Sequence, residues 1–557
     1  MATPSSPGAS APPSERAFPT LTTAQIERAA AHGRRRAVRP GDVLVDAGDA
    51  DVPCFIVLEG RVDVQRPDAP AGDAIVSHGP GQFTGEVNML SGRRALVRLR
   101  VREAGEVLEL SRQELMTLVQ TDPELSEVLM RAFILRRVEL VASGFADVVL
   151  IGSRHAAGTW RIKEFLTRNN HPYRYIDLDR DPAVQSLLDD FDIGVDCVPV
   201  LLAPGRTVLR NPGNEAIADA LGFNAGIDQA HVRDVVIVGA GPSGLAAAVY
   251  AASEGLDVLV VESDAPGGQA GTSSRIENYL GFPTGISGQE LAGRAHAQAQ
   301  KFGAEMLVAK GATGLSCERA PYTLSLGGGS DVAARAVIIA TGAEYRRPPI
   351  EHLSRFEGTG VYYGATHLEA QICRGEEVVV IGGGNSAGQA AVFLSTVARR
   401  VHMLVRSGGL ASSMSRYLIR RIEECDDIEL RTETELIRVD GGDTLERVTW
   451  RSNATGEEET RDIGHVFVMA GAEPRSAWLD GCVTLDRSGF VKTGSDLAPE
   501  DLAAARWPLR RAPYLLETSR PGVLAVGDIR GGSIKRVASA VGEGAIAVSF
   551  VHRVLQE

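Results

Sequence analysis

The chain is short of cysteine. It has six in 557 residues, Cys54, Cys197, Cys317, Cys373, Cys425 and Cys482, and no two of them form a C-x-x-C pair. Dithiol relay needs a thiolate and a resolving thiol within covalent reach, so no adjacent pair in the sequence can carry one. Scattered cysteines without a signal peptide predict a reducing, cytoplasmic setting. Basic charge is also in deficit, with 58 Lys and Arg against 71 Asp and Glu and a net charge of −13. That balance argues against nucleic acid as the main partner, which would need a basic surface. No uninterrupted apolar run reaches the roughly 18 residues that span a bilayer, so no membrane span is expected. No metal site is expected either. Residues 1–20 begin with an Ala-, Ser- and Pro-rich stretch and read as a disordered tail. With 557 residues, 44% of them apolar, the remainder is too long for one core and predicts several domains.

Glycine, by contrast, is placed with purpose. Val235-Val236-Ile237-Val238-Gly239-Ala240-Gly241-Pro242-Ser243-Gly244 is an apolar strand turning into a helix, and Val378-Val379-Val380-Ile381-Gly382-Gly383-Gly384-Asn385-Ser386-Ala387 repeats the pattern. Glycines in such a turn let the backbone approach a pyrophosphate, and the helix that follows presents free N–H groups to it. Glu262 closes the next apolar strand, Val258-Leu259-Val260-Val261, where an acid can bond ribose hydroxyls. One such site implies a dinucleotide. Two imply electron transfer between dinucleotides.

Together with Pro266-Gly267-Gly268-Gln269, Ile339-Ala340-Thr341-Gly342-Ala343 and Gly522-Val523-Leu524-Ala525-Val526-Gly527-Asp528, these motifs resemble the low-molecular-weight thioredoxin reductases over residues 229–557. The resemblance implies FAD and NADPH as cofactors. It implies an FAD domain at 233–345 and 473–557, interrupted by an NADPH domain at 346–472. In that family's arrangement Gly239, Gly241, Gly244, Glu262, Gly268, Gln269, Thr341 and Gly342 would hold FAD, with Asp528 on its ribityl chain. The helix beginning at Val537-Ala538 would point its positive end at the flavin ring. Gly382, Gly384, Asn385, Ser386 and Ala387 would hold NADPH.

Two departures from the family matter. Where it places Cys-Ala-Thr-Cys, this chain reads Tyr363-Gly364-Ala365-Thr366-His367. His367 could donate a proton to the flavin or be a hydrogen-bonded spacer, and Cys373 is either a rearranging thiol or a buried structural one. At the nicotinamide nucleotide, the family's two adjacent arginines become Arg406 and Ser407. One arginine remains for a 2′-phosphate and no acid ends the strand, so NADPH is favoured over NADH. Arg416, Arg420 and Arg421 follow, either near the nucleotide or as a solvated basic helix. Without a dithiol, the acceptor is expected to be a one-electron carrier such as ferredoxin, a quinone or oxygen. A disulfide reductase using a partner's thiols and a regulatory redox-sensing flavoprotein are the alternatives. A homodimer is expected from the resemblance.

Residues 21–145 differ in kind. Arg39–Val45 and Phe55–Val64 read as short strands separated by glycine turns, with helical periodicity from Arg112 to Arg137. Phe83-Thr84-Gly85-Glu86, followed by Arg94-Ala95, resembles the cyclic nucleotide-binding domain. The resemblance implies Glu86 on a ribose hydroxyl and Arg94 on the cyclic phosphate, with Gly85 and Ala95 in the same loop; Arg93 competes with Arg94. A docking or dimerisation module is the alternative. Residues 146–228 read strand (Val148–Ile151), helix (Trp160–Arg168), strand (Tyr173–Asp177) and a strand from Asp196 to Leu202 entered through Pro199. That order resembles a glutaredoxin or thioredoxin fold with a cis-proline, but Ser153-Arg154-His155-Ala156-Ala157-Gly158 fills the redox turn and Cys197 stands alone. The expected fold is therefore multidomain: a β-roll with helices, a thioredoxin-like α/β unit read as a spacer or docking surface, and a two-dinucleotide-domain, Rossmann-like reductase.

Overall fold

The structure is a computed structural model that describes residues 16–557 apart from 51, 67–73, 87–88, 91, 143–147, 155, 180–197, 204–206, 225–227, 229, 274, 277, 318–319, 366 and 412. His155, Cys197, Thr366 and most of the predicted tail lie outside the described residues.

The N-terminal unit is an antiparallel sheet of Arg34–Val38, Val43–Val45, Cys54–Gln65, Ala74–His78 and Arg98–Leu110. Its inner face buries Cys54, Ile56, Phe83, Leu108 and Leu110 against Leu115, Leu118, Leu125, Leu129 and Phe133. The last five come from two helices, Arg112–Thr121 and Pro123–Ala142. The predicted single helical run breaks at Asp122 because Pro123 has no N–H to donate and is suited to a helix's first turn. Ser111 and Glu114 cap the first helix reciprocally.

In the next unit the sheet order is Arg174–Asp177, Val149–Gly152, Val200–Ala203, Thr207–Arg210; the first pair is parallel and the rest antiparallel. The Val198–Pro199 bond is cis. Within the described residues the third strand runs Val200–Ala203, after the proline that cannot join the ladder, and the predicted start at Asp196 lies outside the described residues. The helix Ala157–Arg168 covers one face through Ile162, Phe165 and Leu166. Those side chains enter the same apolar core as Val235, Ile237, Val260, Met306 and Val308 of the following unit, so the two units share one core.

That following unit has parallel strands Glu305–Val308, Val258–Glu262, Val232–Val238, Asp331–Ile339 and Val523–Ala525, with the antiparallel pair Tyr322–Leu326 and Ala312–Ser316 extending the sheet from Asp331–Ile339. Its strands are buried on both faces, which explains the unbroken Val and Ile runs. An antiparallel ribbon, Ala343–Tyr345 with Ala472–Pro474, joins it to a second parallel sheet. There the order is Val361–Tyr362, Val466–Val468, Glu377–Ile381, Arg400–Val405, Ile428–Thr432.

Two features were not foreseen. Cys317 and Cys482 form a disulfide with Cα atoms 5.8 Å apart, although 165 residues separate them in sequence. The fold brings the two together, because the hairpin end at Cys317 packs on the turn at Cys482. The second is the C-terminal helix Val537–Val554, which is long and apolar enough by length and composition to cross a membrane. Its Ala540, Gly544, Ala547, Val548 and Val551 are nevertheless buried in the protein. A Cβ on Gly544 would stand 2.2 Å from the carbonyl oxygen of Ser243, so this helix and Pro242–Ser253 cross with backbones in contact.

Candidate functional site

Both glycine turns fold as strand, turn and helix, and their glycines divide into two classes by what surrounds them. Gly239 has φ +106°, and a Cβ there would lie 2.4 Å from the Ala340 carbonyl oxygen; on Gly244 it would lie 1.9 Å from that of Gly239. Those two exist for packing. Gly241 is the N-cap of the helix Pro242–Ser253, and a Cβ on it would meet only the Gly268 Cα, at 3.9 Å. The second turn repeats this division: a Cβ on Gly382 would stand 2.4 Å from the Met469 carbonyl oxygen, while on Gly384, the N-cap of Asn385–Leu394, it would find only the Ser413 carbonyl oxygen, at 4.0 Å. Each helix start thus keeps an open cradle in front of its free N–H groups, and such a cradle accepts a pyrophosphate.

Gly241 faces a cavity of about 770 Å³. The cavity is lined by Gly239, Glu262, Gly268, Gln269, Thr341, Gly342, Asp528, Val537 and, from the second turn, Asn385 and Ser386. Gly364 also lines it and packs against Thr272. Among the described residues, no cysteine reaches this lining. Ala538 follows Val537 as the second residue of the C-terminal helix, and Gly244, Gly382, Gly384 and Ala387 stand behind the lining in the turns themselves.

Glu262 is 7% exposed, and its carboxylate accepts the backbone N–H of Ala240 at 2.7 Å and that of Asp264 at 2.9 Å. Burial raises its pKa above the usual carboxylate range, against the pull of those two N–H groups. The acid therefore braces the glycine turn as well as facing the cavity. Burial likewise raises Asp528, with the Lys535 ammonium opposing it. Gln269 donates to the carbonyl of Ala343, and the Thr341 hydroxyl donates to that of Arg475 at 3.0 Å, tying the lining to the inter-sheet ribbon.

In the second sheet, Asn385 accepts the Ser415 N–H at 2.7 Å and the Ser413 hydroxyl donates to the Gly383 carbonyl at 2.8 Å. Arg406 is exposed just beyond the strand Arg400–Val405, and Arg416, Arg420 and Arg421 lie on the helix Arg416–Glu423. His367 is the first residue of the helix His367–Ile372; its side chain lies outside what the structure describes. Cys373 is wholly buried in the core of the second sheet, and burial pushes its thiol up to about 11. At neutral pH it is a thiol and not the nucleophilic thiolate.

In the N-terminal unit the competing arginines separate. Arg93 is 7% exposed, lies 4.3 Å above the Phe223 ring and donates to the Asn169 carbonyl at 3.4 Å, so it is engaged with the neighbouring unit. Burial, with the Arg137 charge, lowers it to about 10. Arg94 is exposed, with its side chain beside Gly222. Glu86 lies 3.8 Å from the Arg137 guanidinium. Gly85 takes φ +110°, where a Cβ would strike Met89, and Ala95 is held by Asp49 through its N–H and by Gly48 through its carbonyl.

Sequence reasoning missed Arg168 and Glu164, which line the same cavity from the helix Ala157–Arg168. Nothing in the sequence marks them, because they reach it from another unit.

Residues 233–544 match the family model described as pyridine nucleotide-disulphide oxidoreductase, and residues 35–122 match that of the cyclic nucleotide-binding domain. The thioredoxin reductase of Mycolicibacterium smegmatis is 34% identical over 326 residues, 58% of this chain and 97% of that protein. That of Bacillus subtilis is 32% identical over 58% of this chain and 96% of its own length. Among solved structures, Lactococcus lactis thioredoxin reductase in its FR conformation superposes with a TM-score of 0.52 at 26% identity, covering 58% of this chain and 99% of that one. The residues matched by the first family model, 233–544, include both glycine turns.

Proposed function

The chain belongs to the pyridine nucleotide-disulphide oxidoreductase family, and from that premise we propose that it passes electrons from NADPH through FAD directly to an external acceptor, without a thiol relay of its own. It is an NAD(P)H-dependent flavoprotein oxidoreductase that uses FAD and NADPH. The observation that carries the proposal is the cavity lined from both glycine turns, with Gly364 where its relatives' dithiol is expected and no cysteine among the described lining residues.

Bound FAD and NADPH supply the hydride transfer. The chain's own residues bind and orient them. The helix starts at Gly241 and Gly384 would present N–H groups to the two pyrophosphates, Glu262, which fixes the turn through Ala240, would accept from a ribose hydroxyl, and Asp528 would bond the ribityl chain. Gly364 packs on Thr272 and brings no thiol to the cavity wall, so an acceptor would meet the flavin without an intervening disulfide. Ferredoxin, a quinone or oxygen fits that requirement. The names of the relatives favour a second reading, reduction of a partner's disulfide at the same face. An acceptor screen following NADPH consumption separates the two: turnover with a one-electron acceptor and none with thioredoxin supports the first, and the reverse supports the second.

Arg406 is assigned the 2′-phosphate. Arg406→Ala should lower the NADPH-over-NADH preference in kcat/KM by about ten- to a hundredfold, the range of a charge-assisted contact. Equal use of both nucleotides by the unaltered protein removes that assignment.

The N-terminal domain is assigned a cyclic nucleotide, with Arg94 on the phosphate and Glu86 on the ribose; Arg93 is already engaged with Phe223 and Asn169. Calorimetry with cyclic AMP and cyclic GMP should show binding that Arg94→Ala weakens about tenfold or more, with FAD content unchanged. Absence of heat with both retires them as effectors and leaves a docking role. The sheet order of residues 146–228 supports a thioredoxin-like unit, and its sequence holds no redox pair. A cytoplasmic homodimer completes the reading.

A further inference from the structure

We propose that the unit between the N-terminal and dinucleotide-binding regions is a built-in part of the FAD site, and that Arg168 is a positioning residue acting through the loop 264–269. The inference rests on the reading that the cavity takes FAD.

Arg168 ends the helix Ala157–Arg168, and its side chain is 15% exposed. Its guanidinium donates to the Asp264 carboxylate at 2.7 Å and to the carbonyls of Ala265 and Gly268, both at 3.3 Å. The other carboxylate oxygen of Asp264 accepts from Asn214 at 2.8 Å, and Asn214 is itself held by Arg161 at 3.0 Å. Both oxygens of Asp264 are thus bonded by the neighbouring unit, while its N–H is bonded by Glu262. The loop so held carries Gly268, whose Cβ would stand 3.0 Å from the Cα of Gly241. Its position therefore sets the width of the cradle at the first helix start. The guanidinium's fork matches one carboxylate and two carbonyls at once, which an ammonium cannot do equally well.

A swinging spacer would not show these contacts. The two units share one apolar core, and elsewhere on the same junction Asn224 exchanges two hydrogen bonds with Val308, at 2.9 and 2.8 Å, away from the cavity lining. That second contact provides a control for docking alone.

The test is FAD titration into the flavin-stripped full-length chain, read by quenching of flavin fluorescence. Arg168→Met should weaken FAD binding about tenfold, and Arg168→Lys, which keeps the charge but not the fork, should recover only part of that loss. Asn224→Ala should leave FAD affinity at the unaltered value. If Arg168→Met does not fold, Asn214→Ala, which frees the other oxygen of Asp264, decides the matter and should weaken binding several-fold. Unchanged affinity in both Arg168→Met and Asn214→Ala overturns the proposal, as does Asn224→Ala weakening FAD as much as Arg168→Met. Failure of the unaltered chain to bind FAD would instead overturn the reading of the cavity, and the inference with it.

Discussion

Gly241→Val is expected to fold and to lose FAD. A Cβ at Gly241 meets no protein atom closer than the Gly268 Cα at 3.9 Å, so the fold itself does not exclude a branch at this position. What it fills is the cradle in front of the helix start, where the pyrophosphate must approach the backbone. A loss of at least about a hundredfold in affinity, about 2.8 kcal/mol, is expected. Gly239→Val and Gly244→Val should behave differently and compromise the fold, because each Cβ would lie within 2.4 Å of a carbonyl oxygen. Flavin absorbance per folded chain after gel filtration checks all three. Full FAD occupancy in a folded Gly241→Val protein would remove FAD from this cradle.

The second large effect separates the two nucleotide sites. Gly384→Val should keep its FAD and lose NADPH-driven reduction by about a hundredfold or more in kcat/KM. The cradle at Gly384 is equally open, with only the Ser413 carbonyl oxygen at 4.0 Å from a new Cβ. Stopped-flow mixing of the yellow variant with NADPH measures this. Bleaching at the rate of the unaltered protein would place NADPH elsewhere.

The parts of the site legible in the sequence are those made by residues close along the chain. Gly239, Gly241 and Gly244 form one turn, and the strand that ends at Glu262 pairs beside it in parallel. The burial of these strands on both faces writes their position into unbroken apolar runs. Contacts between units leave no such mark. Arg168 reaches Asp264 across 96 residues, and Cys317 reaches Cys482 across 165; neither distance has a periodicity to betray it. Arg93 and Arg94 are indistinguishable as letters, yet one is buried on Phe223 and the other is exposed beside Gly222. Glu262 lines the cavity, and its grip on the Ala240 N–H is a bond only coordinates can show.

The central claim is that electrons leave this protein without passing through a thiol of its own. Its most direct test is NADPH consumption by the purified chain and by a variant with all six cysteines replaced by serine, each with ferricyanide and with thioredoxin as acceptor. That variant removes the buried Cys373 and the Cys317–Cys482 bridge together. Ferricyanide reduction at the same rate in both proteins and no thioredoxin reduction in either is the expected result. Thioredoxin turnover by the unaltered chain, abolished in the cysteine-free variant, would contradict it.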